Sequence, residues 1–111
     1  MVIKPISKQL LPHTVTYSEY EGVNSWEDET IYSEPITIYN VRVQYNSRFN
    51  QTADSENKTY NALMFVDVVN TSPQVNFVEE SKVMFDGKEM FITEIEPVYA
   101  DTLHHLEVKL V

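Results

Sequence analysis

The stretch KVMFDGKEMFITEIEPV, residues 82–98, decides the fold. Asp86-Gly87 lies between two apolar runs. An Asp-Gly pair in that setting is the strongest short hairpin signal, because glycine takes a positive φ without steric cost. The runs on either side of it therefore read as antiparallel strands. Downstream, DTLHHLEVKLV (residues 101–111) alternates like a further strand, with His104, Leu106, Val108 and Leu110 on one face and His105, Glu107 and Lys109 on the other. Upstream, TSPQ (71–74) reads as a turn, and NFVEES (76–81) has room for a short helical turn.

Further from the hairpin the β pattern persists. YNALMFVDVV (60–69) is apolar on both faces around residues 62–66, which alone fits a strand or a buried helical turn; Val66, Val68 and Val69 favour the strand. TVTYSEY (14–20) alternates, with Val15 and Tyr17 pointing one way. Residues 30–45 read as one long strand or two collinear ones. There the apolar phase changes from even positions (Ile36, Ile38) to odd ones (Tyr39, Val41, Val43, Tyr45), so a bulge or bend near Tyr39 is expected. Pro35 marks a break or an edge.

The expectation is an all-β chain, a small antiparallel barrel or sandwich of about five or six strands, since closure protects strand edges. Residues 1–12 form an N-terminal arm and residues 13–111 the barrel domain. Between the strands VRVQY and YNALMFVDVV runs NSRFNQTADSENKT, residues 46–59, with Phe49 as its one large apolar side chain and no glycine. Neighbouring strands are usually joined by about two to five residues, so this polar loop is long.

Composition narrows the function. The chain has 111 residues, a single-domain length, and a net charge of −9. It lacks cysteine, which removes disulfides, thiolate metal sites and a cysteine nucleophile, and fits a reducing cytoplasm or a virion assembled there. No signal-peptide core or membrane-length apolar run is present. Six acids without a base lie between Tyr17 and Glu34. Such a charge opposes tight wrapping of nucleic acid, which needs a basic footprint.

Catalytic and metal chemistry find little support. His104 and His105 are adjacent in a strand and are expected to face opposite ways, His104 partly buried and hydrogen-bonded, His105 at the surface. No zinc-type histidine spacing exists, and His13 is distant. Glu94 and Glu96 share a strand face about 7 Å apart, a glycosidase-like separation, but acids this abundant pair by chance. Two glycines cannot build a phosphate loop. The reading is no enzyme, no cofactor and no metal. Trp26, in NSWEDE at the tip of an expected hairpin, is either a contact anchor or a side chain folded onto the barrel rim. Ile3, Ile6, Leu10 and Leu11 make the arm apolar. It packs on its own barrel or docks on a neighbour, and the second is favoured.

Two stretches then point to a family. KPISKQLLPHTVTYSEY (4–20) and FDGKEMFITEIEPVYADTLHHLEVKLV (85–111), about 44 residues together, resemble the opening and close of small phage minor capsid proteins from viruses of Gram-positive bacteria. The pattern is also similar to head-closure (stopper) proteins of long-tailed phages. The resemblance implies a ring below the portal and its adaptor that retains packaged DNA and offers a docking surface to the tail. It implies portal, adaptor and tail proteins as partners and non-specific contact with packaged DNA. The place implied is the head-tail interface of the virion, reached from the host cytoplasm during assembly, with no membrane. By position between two strands, it makes the polar loop the channel loop, with Arg48, Phe49, Asn50, Gln51, Asp54, Glu56 and Lys58 as candidates. The charge predicts a monomer or weak oligomer when the protein is alone. The alternative is a stand-alone β-barrel binding module for a peptide or a sugar.

Overall fold

The computed structural model describes residues 4–46 and 61–111. A 3-10 helical turn at Lys8–Leu10 precedes eight strands: β1 (His13–Ser18), β2 (Tyr20–Asn24), β3 (Glu29–Tyr32), β4 (Ile36–Tyr45), β5 (Ala62–Asp67), β6 (Lys82–Phe85), β7 (Lys88–Tyr99) and β8 (Leu103–Leu110). Six of them close into a barrel in the order β1-β4-β5-β8-β7-β6, while β2 and β3 form a separate two-stranded sheet. The all-β expectation holds, and of the two architectures left open the barrel is the one adopted.

Every strand of the barrel has two partners, and closure rests on β1 meeting β6 and on β7 changing partner along its length. β1 pairs with β4 along its length and with β6 over its last three residues. β7 pairs with β6 over Lys88 to Phe91 and then with β8 from Ile92 to Tyr99. Alternation fills the interior. Val15 and Tyr17 of β1, Ala62, Met64 and Val66 of β5, and Val108 and Leu110 of β8 all point inward and are nearly inaccessible. The Asp86-Gly87 hairpin is present, with those two residues at φ of 55° and 78°, as a two-residue turn with both central residues left-handed requires.

The phase change near Tyr39 is a bulge. His13 faces Val41 and Thr14 faces Tyr39, so Asn40 is the unpaired extra residue. Its φ is 61°, a conformation asparagine tolerates better than most residues. Ile38 before it and Val41 and Val43 after it are therefore all buried, while Tyr39 is exposed. A second bulge at Thr93 does the same for β7, switching the inward set from Met90 and Ile92 to Ile95.

Three local readings are corrected. Residues 30–45 are not collinear: the chain leaves β3 for the barrel at Pro35, and only β4 joins it. β5 ends at Asp67, and Val68 and Val69 lie in a turn. The cause is the Asp67 side chain, which accepts from the backbone N–H of Val69 and Asn70 at 2.9 and 2.8 Å and folds the chain back. Residues 76–81 contain no helical turn. They run irregularly into a turn at Glu79-Glu80, held by Ser81, whose buried hydroxyl meets the Tyr17 hydroxyl and accepts from the Tyr20 N–H.

Candidate docking site

The N-terminal arm lies along its own barrel. Asp67, fully buried at the end of β5, accepts from the Ile6 N–H at 2.9 Å with its second oxygen, and Asn70 donates its side-chain amide to the Ile6 carbonyl at 2.7 Å. Residue 6 is thus held on both sides by one turn. Further on, the Leu10 and Leu11 carbonyls accept from Arg42 and Asn40 of β4. Of the two expectations for the arm, this part of the chain shows packing on its own barrel. Leu11, a contact candidate, is completely inaccessible. Ile6 is half-buried and Leu10 remains 55% exposed. Ile3 lies outside the described residues.

The paired histidines depart from strand geometry. Val98 faces His105 and Tyr99 faces Leu103, so His104 is the extra residue of a third bulge. At a bulge two successive side chains no longer alternate. Here the rings meet, Nδ1 to Nδ1 at 2.9 Å. His104 Nε2 is 2.7 Å from the Lys4 carbonyl, and His105 Nε2 is 3.1 Å from Glu107. Carbonyl and carboxylate only accept, so each Nε2 atom is placed to donate. His105 is therefore not a surface residue: its side chain is 14% accessible. Among the described residues, no three His, Cys, Asp or Glu side chains group as metal ligands.

Arm and barrel together border an open pocket of about 410 Å³ over the outer face of β4, β5 and β8, lined by Ile6, Leu10, Leu11, Arg42, Phe65, His105 and Glu107. Only the arm residues were legible as candidates. Arg42, Phe65 and Asp67 were missed, although Asp67 followed by Asn70 and Thr71 after an apolar run is a turn signal in its own right.

Trp26 sits in the β2–β3 turn and is 93% exposed. It does not fold onto the barrel rim. The turn is closed internally, with Asn24 accepting from the Trp26 and Glu27 N–H groups. The base of the hairpin is tied to the barrel instead: the Tyr32 ring lies 6.3 Å from Phe91 and carries the Lys82 ammonium at 4.8 Å.

The channel-loop candidates Arg48, Phe49, Asn50, Gln51, Asp54, Glu56 and Lys58 lie outside the described residues. The flanks of that segment are described. The Asn46 N–H donates to the Asn61 carbonyl at 2.8 Å, which extends the β4–β5 ladder by one pair. Both ends of the segment therefore stand side by side at one rim of the barrel.

Glu94 and Glu96 face solvent and share one cation, Lys109 Nζ, at 3.3 and 3.9 Å, each about half accessible. The arrangement is open to solvent and paired with lysine, without the cleft an acid/base pair needs. What the barrel offers is an arm laid along it, an exposed tryptophan hairpin and an open pocket between arm and barrel.

The chain belongs to the minor capsid protein family, whose family model matches residues 7–110. It is a phage structural virion protein, and its place is the virion. No curated protein and no solved structure matches it. No helix among the described residues is long and apolar enough to cross a membrane.

Proposed function

We propose that this minor capsid protein is a head-closure component of the phage neck. It forms a ring below the portal and adaptor, retains packaged DNA, and presents a surface to the tail. The observation that carries this reading is the pairing of Asn46 with Asn61. It brings the two ends of a long polar connection to a single rim of a closed barrel, and this reading assigns that rim to the channel side of the ring. Within residues 46–59, Arg48 and Lys58 offset Asp54 and Glu56, so the loop neither grips DNA strongly nor repels it. The net charge of −9 disfavours spontaneous association of copies, which fits a ring that forms only on its connector.

The test has two arms. Electron microscopy of purified portal–adaptor complex mixed with the protein is expected to show an added ring. Particles carrying the protein with residues 47–60 replaced by Asn-Gly are expected to assemble the ring and then lose nuclease-resistant DNA before tails attach. Phe49→Ala is expected to leak less. DNA retention equal to the parent protein would remove the stopper role and leave a ring that joins head to tail.

A further inference from the structure

The barrel order places the hairpin and the arm pocket on opposite sides of the molecule. In the closed order β1-β4-β5-β8-β7-β6, β8 lies across from β1 and β5 across from β6. The β2–β3 hairpin leaves the end of β1 and is pinned over β6 and β7 through Ser81, Lys82 and Phe91. The pocket sits on β5 and β8 with Arg42 of β4.

The two features are also complementary in chemistry. The hairpin tip presents Trp26 at 93% exposure, followed by Glu27, Asp28 and Glu29, with Val23 and Ile31 also exposed along its strands. Val23 and Ile31 lie on opposite faces of the hairpin, so the tip itself, with Trp26 and its acids, is the part held out toward a partner. The pocket offers Ile6, Leu10 and Phe65 as apolar walls and Arg42 as a cation. Glu107 is engaged by His105, whereas Arg42 has no carboxylate within ion-pair distance among the described residues and spends one of its donors on the Leu10 carbonyl at 3.4 Å. Tryptophan and arginine are the residues that most often dominate interface energy, and a guanidinium stacks well on an indole.

We infer that Trp26 and its acidic flank dock into the arm pocket of a second copy of this chain. A knob on one side and a socket on the other make a heterologous contact, which gives a ring where the rotation between copies closes, here as set by the connector, and not a two-fold dimer. This inference rests on the ring proposed above and names the contact that closes it. It also gives the N-terminal arm a role, since the arm, latched on its own barrel, forms one wall of the socket.

The absence of cysteine makes the test clean. The full-length variant Ser25→Cys/Leu10→Cys, assembled on portal–adaptor complexes and oxidised, is expected to give a ladder of cross-linked copies on a non-reducing gel. Each single variant is expected to give no ladder. Trp26→Ala and Arg42→Glu are each expected to reduce ring occupancy on connectors by tenfold or more, with Trp26→Ala melting like the parent protein because its side chain supports nothing in the monomer. Rings visible in the microscope without a ladder, or cross-links from the Ser25→Cys variant to an adaptor or tail chain, would overturn the knob-and-socket contact and leave the ring reading standing. No ring with the parent protein would overturn both.

Discussion

Asp67 shows how one side chain organises a distant part of the chain. Its carboxylate accepts from three backbone N–H groups, those of Ile6, Val69 and Asn70, in a site closed to water. It ends β5 and latches the arm at once. Asp67→Ala leaves those donors without an acceptor, a loss of about 1–3 kcal/mol for an unsatisfied buried group. The expected result is a lower urea midpoint with an unchanged slope. Gly87 gives a second test at this scale. Its φ is 78°, and a Cβ there meets nothing within 4 Å. Gly87→Ala therefore acts only through the backbone and is expected to cost about 1–2 kcal/mol, read as a fall in melting temperature. A small or absent change would mean that the turn relaxes to another type.

Two elements owe their position to contacts outside themselves. The arm has one 3-10 turn of its own, too little to persist alone. It is held by Ile6 at the Asp67–Asn70 turn and by Lys4 at His104. Deleting residues 1–9 removes all of these and is expected to lower the melting temperature by roughly 10 °C, on about 2 kcal/mol of lost hydrogen bonding. An unchanged melting temperature would restore the view that the arm serves only a neighbour. The β2–β3 hairpin is the reverse case. Its base is stapled by Tyr20, Tyr32 and Lys82, whereas its tip is bonded only to itself. Changes at Tyr32 are therefore expected to lower stability and changes at Trp26 to leave it unaltered, as read by melting temperature.

For the whole molecule, the barrel is expected to be indifferent to the segment it carries. Asn46 and Asn61 already form a ladder pair, so an Asn-Gly turn in place of residues 47–60 completes a two-residue hairpin. Shortening the connection lowers its closure cost by about 1–2 kcal/mol. The shortened protein is expected to melt at or above the parent temperature, checked by calorimetry. Unfolding of this variant would show that the segment packs into the barrel, and would change the meaning of any DNA leak it causes.

Much of this protein is legible in the order of its residues, because the relevant physics is local. Asp86-Gly87 sets its own turn, alternation at Val15/Tyr17 sets which side is inside, and the shift of apolar phase after Ile38 announces a bulge two residues later. The opening and closing stretches also carried the family, which the match over residues 7–110 bears out. Other features depend on residues far apart in the chain, and no local pattern contains them. The arm is latched by a partner 61 positions away and by one 100 positions away. The histidines meet because the β7–β8 register slips, not because of their own sequence. Leu11 is buried where its carbonyl meets Asn40 of β4, and Trp26 stays exposed because no described part of the fold packs on it. The docking pocket exists only once β4, β5, β8 and the arm have come together, since its walls come from four separate segments that only barrel closure brings within contact distance.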